Sequence, residues 1–348
     1  MRTLIFGWNG HGNFGDDVML DVLLDKNRDF AVWGSTKFVK SVGLRRTLIN
    51  VVYDTFFQIP YVARVVPYIL GVLIPSDSKI IFGGGKLFAT KHALLFYVRL
   101  IQTMHSLGKR VVVVGYGVSL YHEEGMDENR LKRLVSYFEF LYVRDEVSLN
   151  YCSKFSSVVE YALDPAFYKF SRFKRVTCAN DYTINVSLRS GLCKQSDIEL
   201  VRDAISNFVN TNQNKTIRIR LFSFSNNRLE DDIIELNRLA DILADLPDVN
   251  LEVYPYTSMN HLINSWAHGD YCICQRLHSA ILSTALNIPF SVLAYDQKLT
   301  DFTRNLTPIN MELRADSITS QLRISWSVKR EIQKIAELVN KCLQIKNN

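Results

Sequence analysis

Short apolar runs rich in β-branched and aromatic residues alternate with longer stretches of helical spacing along nearly the whole chain. In the first half the clearest runs are residues 3–6, 30–33, 79–82, 110–114 and 140–143. In the second half they are 182–187, 216–221, 250–254, 271–274 and 290–293. Between them, residues 127–137, 195–210, 229–244 and 261–266 place apolar side chains at helical intervals. Strands that are apolar throughout and take turns with helices predict parallel sheets covered on both faces. Two sets of five strands predict an α/β chain of two doubly wound, Rossmann-like domains facing a cleft. The charged stretch at 170–175 lacks strong periodicity and marks the junction, giving domains at 1–172 and 173–348. A last helix at 327–344 falls in the second domain and is free to pack back across both halves.

The unusual residues follow the strands. GWNGHGNFGDD comes after the first, GGGK after Phe82, GYGVS after Val114 and RDEVS after Val143. SLR follows Val186, RLH follows Cys274 and YDQK follows Ala294. In doubly wound sheets ligands bind beyond the carboxyl ends of the strands, so these clusters gather at ligand-binding edges.

The sharpest of them is QRLHSAI at 275–281. Residues 271–274 read as a buried strand and 279–286 as the helix behind it, which sets Arg276 and His278 at a helix N-terminus, where anions are favoured. The run 290–294 reads as a neighbouring parallel strand whose exit carries Asp296 and Lys298 to the same edge. Arg276, Lys298 and the titratable His278 are therefore expected around one anion. A core histidine is the alternative, but an arginine two residues earlier is costly to bury without a partner.

Gly10-His-Gly-Asn-Phe-Gly-Asp-Asp17 joins the first strand to a helix. Its spacing is neither the dinucleotide fingerprint nor a P-loop. Asn13 and Gly15 would let the backbone approach a substrate, with Asp16 or Asp17 as acid or base; a tight turn with a capping aspartate is the alternative. Gly84 and Gly85 in Gly83-Gly-Gly85, and Gly117 in Gly115-Tyr-Gly117, also admit a close ligand. Arg144 is either a surface ion-pair partner at a helix start or a ligand-facing cation. Asp164 reads as structural, and Arg189 can fork onto a carboxylate or phosphate. Asp231 and Asp232 fall in a helical pattern and read as a solvated face.

Composition narrows the chemistry. The 348 residues are 47% hydrophobic and 22% charged, enough for two substantial cores. A formal charge of +6 suits an anionic ligand or membrane face, and without a basic run it gives no ground for nucleic acid. The six cysteines are scattered, with no CxxC or Cys/His cluster, so no metal site is expected and a reducing, cytoplasmic compartment is. The first residues form a strand rather than a secretion signal. Residues 59–75 are very apolar but broken by Arg64, Pro67 and Gly71, too short to span a bilayer. They read as a buried helix pair or packed loop, the alternative being an interfacial patch flanked by Arg45, Arg46 and Arg64.

The ordered set GNFGDD, GGG, GYG, RDEVS, DPAF, SLR, RLHSAI and YDQK resembles the polysaccharide pyruvyltransferase family over about the first 300 residues. The resemblance implies a GT-B-like fold and a reaction in which phosphoenolpyruvate donates a pyruvyl ketal across two sugar hydroxyls, with no cofactor. It further implies that Arg144, Arg189, Arg276, Leu277, His278 and Lys298 form the donor site. His278 would be acid or base, and Asp16 or Asp17 would act on the acceptor, a sugar or polysaccharide that is free or lipid-linked. Two departures weaken the acceptor side: Asp17 replaces the usual Glu after GNxGD, and the proline often found after GxG is absent at Ser119-Leu120. Alternatives of other classes are a nucleotide-sugar glycosyltransferase and a non-catalytic polysaccharide-assembly factor. Oligomeric state and acceptor identity are not legible. The aromatics Tyr53, Phe56, Phe57, Tyr61, Tyr68 and Phe96 would either stack on sugar rings or pack.

Overall fold

The apolar runs become strands and the periodic stretches helices in a computed structural model of the chain. It describes residues 2–9, 11–25, 30–34, 62–85, 91–120, 127–177, 181–212, 215–227, 230–247, 249–306, 313–314 and 328–345. In chain order the first elements are β1 (Arg2–Asn9), α1 (Phe14–Leu24), β2 (Phe30–Gly34), α2 (Val62–Leu73), β3 (Ser78–Gly85) and α3 (Lys91–Ser106). Next come β4 (Val111–Val118), α4 (Glu128–Val135), β5 (Phe140–Val143), α5 (Glu146–Cys152), β6 (Val159–Tyr161) and α6 (Ala166–Phe170). The later elements are β7 (Asp181–Ser187), α7 (Gln195–Thr211), β8 (Thr216–Phe222), β9 (Asn226–Asn227), β10 (Glu230–Asp231) and α8 (Ile233–Leu243). The last elements among the described residues are β11 (Val249–Tyr254), α9 (Met259–Trp266), β12 (Tyr271–Cys274), α10 (Leu277–Ala285), β13 (Phe290–Val292), α11 (Gln297–Leu306) and α12 (Val328–Gln344).

The chain divides into two compact units. One comprises 1–11, 16–165 and 329–348; the other comprises 12–15 and 166–328. The first is built on a six-stranded sheet of order β2-β1-β3-β4-β5-β6, one strand more than the pattern predicts because β6 is a short edge strand. Every pairing in it is parallel. The central β4 is buried at all eight positions, which is why its sequence VVVVGYGV shows no polar alternation.

Residues 329–348 lie with this first unit rather than with the second, where the linear order had set them. The reason is visible in the sequence of α12: Ile335, Leu338, Val339 and Cys342 form one buried helical stripe. Cys342 Sγ lies 3.8 Å from the Gly115 carbonyl of β4, and Lys79 of β3 donates to the Ile345 carbonyl just past the helix end at 3.1 Å.

The apolar segment 59–75 also differs from expectation. Its described part is a single helix, α2, with Pro67 inside it. Leu70 and the following Ile74 are buried, while Val65, Tyr68, Ile69, Val72 and Leu73 are 39–62% exposed along the opposite face. Lys109 fastens the end of this helix by donating to the Gly71, Val72 and Ile74 carbonyls. No helix among the described residues is long and apolar enough to cross a membrane. Of the six aromatics weighed for sugar stacking, Phe96 is buried in the core and Tyr68 is exposed; the other four lie outside the described residues.

The second unit has a five-stranded parallel sheet of order β11-β8-β7-β12-β13 and a small antiparallel hairpin, β9-β10. Ile198, Val201, Ile205 and Phe208 of α7 and Leu236, Leu239 and Leu243 of α8 join its hydrophobic core. Residues 12–15 belong here because Phe14 is fully buried: its ring stacks on Phe170 at 5.8 Å and meets Phe224 and Tyr256 edge-on. The backbone follows, with Phe14 N–H donating to the Phe224 carbonyl and Asn226 N–H to the Gly12 carbonyl.

Candidate active site

Because β7, β12 and β13 are adjacent and parallel, their exits lie side by side. Those exits carry Arg189, Arg276 with His278, and Tyr295 through Lys298 respectively.

Arg276 is the N-cap of α10 and only 8% exposed. Its guanidinium forks onto Asp232 through Nε and Nη2, and its third nitrogen donates to Glu230 Oε2 at 3.2 Å. Arg189 reaches the other oxygen of the same carboxylate, Glu230 Oε1, at 2.9 Å. Its Nη1 donates to the Tyr295 hydroxyl at 2.7 Å, and the guanidinium lies over the Tyr295 ring. The Arg189 backbone N–H donates to Gln275 Oε1 at 2.7 Å, which ties the exit of β7 to that of β12.

Asp232 corrects the sequence reading of a solvated helical face. The helix starts one residue later, at Ile233, and Asp232 is fully buried. Its carboxylate accepts from Arg276 and from the Ser190 and Phe224 backbone N–H groups. Burial raises its carboxyl above the usual range, opposed by the Arg276 guanidinium and those two N–H groups. At Glu230 burial also pushes upward, but Arg189 and then Arg276 outweigh it and leave the carboxyl below its ordinary value. Burial raises the Tyr295 hydroxyl, with Arg189 opposing.

His278 occupies the first turn of α10 and is half-buried. Gly15 packs directly against it: a Cβ at Gly15 would fall 2.0 Å from imidazole Cε1 and Nδ1, so any side chain there must displace the ring. Gly15 is the second residue of α1, and its N–H donates to Asn13 Oδ1 at 3.1 Å. Asn13 therefore caps that helix, the task that the alternative reading gives to an aspartate, and Asp16 and Asp17 fill its acidic first turn. The starts of two helices, α1 and α10, thus meet at the His278 ring, and both favour negative charge there. Asp16 and Asp17 follow Gly15 in the chain; Asp16 is half-buried and Asp17 is 3% exposed.

The remaining predicted residues are placed as follows. Leu277 opens α10, and half-buried Lys298 lies in the first turn of α11, where Asp296 Oδ1 accepts from Leu299 N–H. The second unit thus brings together Arg189 with Arg276, and Gly15 with His278. Arg144 belongs to the first unit, where it is buried in an ion pair with Asp164, each 6% exposed, so neither the surface pair nor the open cation of the sequence reading is found. Gly84 and Gly85 end β3. Gly117 has a φ of +59°, and a Cβ there would lie 2.8 Å from Pro165 Cγ, so packing accounts for that glycine. Glu230, Asp232, Gln275 and Tyr295 were not anticipated as site residues. Gln275 and Tyr295 open the motifs QRLHSAI and YDQK themselves, and the acids at 230–232 lie in a short strand and a helix cap rather than in the helix that the spacing predicts.

Two Rossmann-like α/β units with charged strand exits define the GT-B-like class of fold. The model of the polysaccharide pyruvyl transferase family matches residues 13–297, and the chain belongs to that family. Among solved structures, the chain is similar to UDP-GlcNAc 2-epimerase from Methanocaldococcus jannaschii, with 12% identity, a TM-score of 0.60, and 100% and 94% of the two chains covered. It is also similar to the enzyme from Neisseria meningitidis bound to UDP-GlcNAc, with 11% identity, a TM-score of 0.58 and coverage of 100% and 95%. The enzyme from Rickettsia bellii has 9% identity, a TM-score of 0.56 and coverage of 99% and 96%. At such identities the likeness shows the fold alone. No curated protein matches in sequence.

Proposed function

We propose that the protein transfers the pyruvyl group of phosphoenolpyruvate to two hydroxyls of a sugar in a polysaccharide or its precursor, forming a ketal, and that the second unit holds the donor. The observation that carries this is the pair Arg189 and Arg276 on one carboxylate, in the same strand-exit cluster as a histidine at two helix starts. Phosphoenolpyruvate carries a phosphate and a carboxylate close together, and arginines that stay charged suit both. In the reaction the methylene carbon gains a proton and becomes the methyl group, while one sugar hydroxyl adds to the neighbouring carbon. The second hydroxyl then replaces phosphate there, and each hydroxyl gives up its proton. His278 delivers the proton to carbon, because an imidazole can give or take a proton in either direction near neutrality. Arg189, Arg276 and Lys298 hold the donor with the Leu277 backbone beside them. Asp16, more exposed than Asp17, takes the hydroxyl proton. Arg144 is already held by Asp164, so its part in donor binding rests on the family motif alone.

The experiment is to incubate the protein with phosphoenolpyruvate and a panel of galactosides, mannosides and N-acetylhexosaminides. Released phosphate together with a product carrying the mass of a pyruvyl ketal is expected. Consumption of a nucleotide sugar instead, with no phosphate from phosphoenolpyruvate, would favour the second reading. That reading is a GT-B nucleotide-sugar enzyme holding a diphosphate at the start of α10. The exposed apolar face of α2 supports peripheral contact with the inner face of the membrane in a cytoplasmic protein, where a lipid-linked acceptor would be held. Flotation with anionic vesicles tests that part by itself.

A further inference from the structure

Two acids serve this pair of arginines, Glu230 bridging both and Asp232 holding Arg276 alone, and they differ in how firmly they are held. Asp232 is fully buried and accepts from a forked guanidinium and two backbone N–H groups, so it has no route to water. The Glu230 side chain is 38% exposed and sits on a two-residue strand of a short hairpin. Its oxygens face one arginine each: Oε1 faces Arg189 and Oε2 faces Arg276. Two guanidiniums on the two oxygens of one carboxylate form a ready-made seat for a small oxyanion.

We infer that Glu230 is an internal counter-anion: it occupies the anion seat between Arg189 and Arg276 when no ligand is bound, and the phosphate or carboxylate of the ligand displaces it. This rests on the reading of the second unit as the donor site and assigns Glu230 a part that reading does not contain. Displacement is feasible at Glu230 and not at Asp232, because a half-exposed carboxylate recovers its hydration on swinging out, whereas a buried one must stay paired. With Asp232 in place Arg276 keeps an acid partner throughout the exchange, while Arg189 keeps the Tyr295 hydroxyl and ring. Return of the carboxylate after transfer would push product phosphate out. The ground-state effect is a lowered affinity for the ligand, since each binding event must first break two ion pairs.

The test is calorimetric titration of the wild type and Glu230→Gln with inorganic phosphate, phosphoenolpyruvate and UDP, at fixed pH and salt. Glutamine keeps the shape of the side chain and removes its charge. Glu230→Asp, too short to bridge both arginines, is the companion variant. Affinity for phosphate should rise about tenfold in Glu230→Gln, which corresponds to about 1.4 kcal/mol, and by less in Glu230→Asp. Product inhibition by phosphate should strengthen in parallel. Weaker or unchanged phosphate binding in both variants would overturn the inference and make Glu230 a positioning residue for the arginines. Tightening seen for phosphate and UDP, without binding of phosphoenolpyruvate, would uphold the counter-anion while removing the pyruvyl donor.

Discussion

The two sheets end in comparable ways and use those ends differently. At the exit of β5 in the first unit, Arg144 and Asp164 form a closed pair, each nearly sealed from water. At the exits of β7 and β12 in the second unit, the buried pair Arg276–Asp232 is extended by Glu230 to Arg189 and Tyr295, and Glu230 reaches solvent. The number of cations is a poor guide to a ligand site. What separates a structural arginine from an available one is whether its acid partner can leave. The glycines divide the same way: Gly117 is required by backbone conformation and Pro165, while Gly15 is required by the His278 ring.

That division gives the largest expected effect. Gly15→Ala drives a methyl group into the His278 imidazole and should lower turnover by about a hundredfold or more, the scale of losing a positioned acid–base group. Gly117→Ala should instead destabilise the first unit by about 1–2 kcal/mol, with turnover retained by the molecules that stay folded. Paired activity assays and thermal melts decide it. Equal losses of turnover in the two variants, at matched folded fractions, would erase the distinction between the glycines.

The arginines give the next effect. Arg144→Ala and Arg276→Ala each leave a buried carboxylate without its cation and should cost about 3–5 kcal/mol. Arg189→Ala leaves Glu230 to Arg276 and water and should cost under about 1 kcal/mol while weakening phosphoenolpyruvate binding. Denaturant midpoints that rank Arg189→Ala with the other two would show that the second network is as closed as the first.

Much of this was legible in the chain because parallel strands buried on both faces announce themselves as unbroken apolar runs: β4, β12 and β13 fall where 110–114, 271–274 and 290–293 predict them. Arg276 and His278 were found for the same reason, since strand followed by helix fixes them at a helix start. Asp232 was not, because a carboxylate at 232 is sequence-compatible with both a solvated helix and a cap one residue before it; only the tertiary donors Ser190, Phe224 and Arg276 decide. Likewise α12 gives no sign in its amphipathic pattern of which sheet it covers, and it covers the first.

Lys79 sharpens the contrast from the other side, as a buried cation with no acid partner among the described residues. It is 1% exposed on β3 and donates to the Ile345 carbonyl, and burial, partly offset by Cys342, lowers its ammonium pKa to about 8 from 10.5. The unfolded chain therefore binds the extra proton between about pH 8 and 10.5, so stability from this group rises with pH across that window. Below pH 8 both states are protonated and the burial penalty stands in full. Lys79→Met removes the charge at the cost of one hydrogen bond to a carbonyl at a helix end, and at pH 7 should stabilise the first unit by about 1–3 kcal/mol. The advantage over wild type should shrink as pH climbs from 8 toward 10.5, because wild-type Lys79 is then already neutral in the folded state. Urea midpoints of the two proteins at pH 7 and pH 10 measure both quantities. A variant less stable than wild type at pH 7, or a gap that stays constant with pH, would mean that the Ile345 carbonyl is as good a partner for a buried cation as Asp164 and Asp232 are.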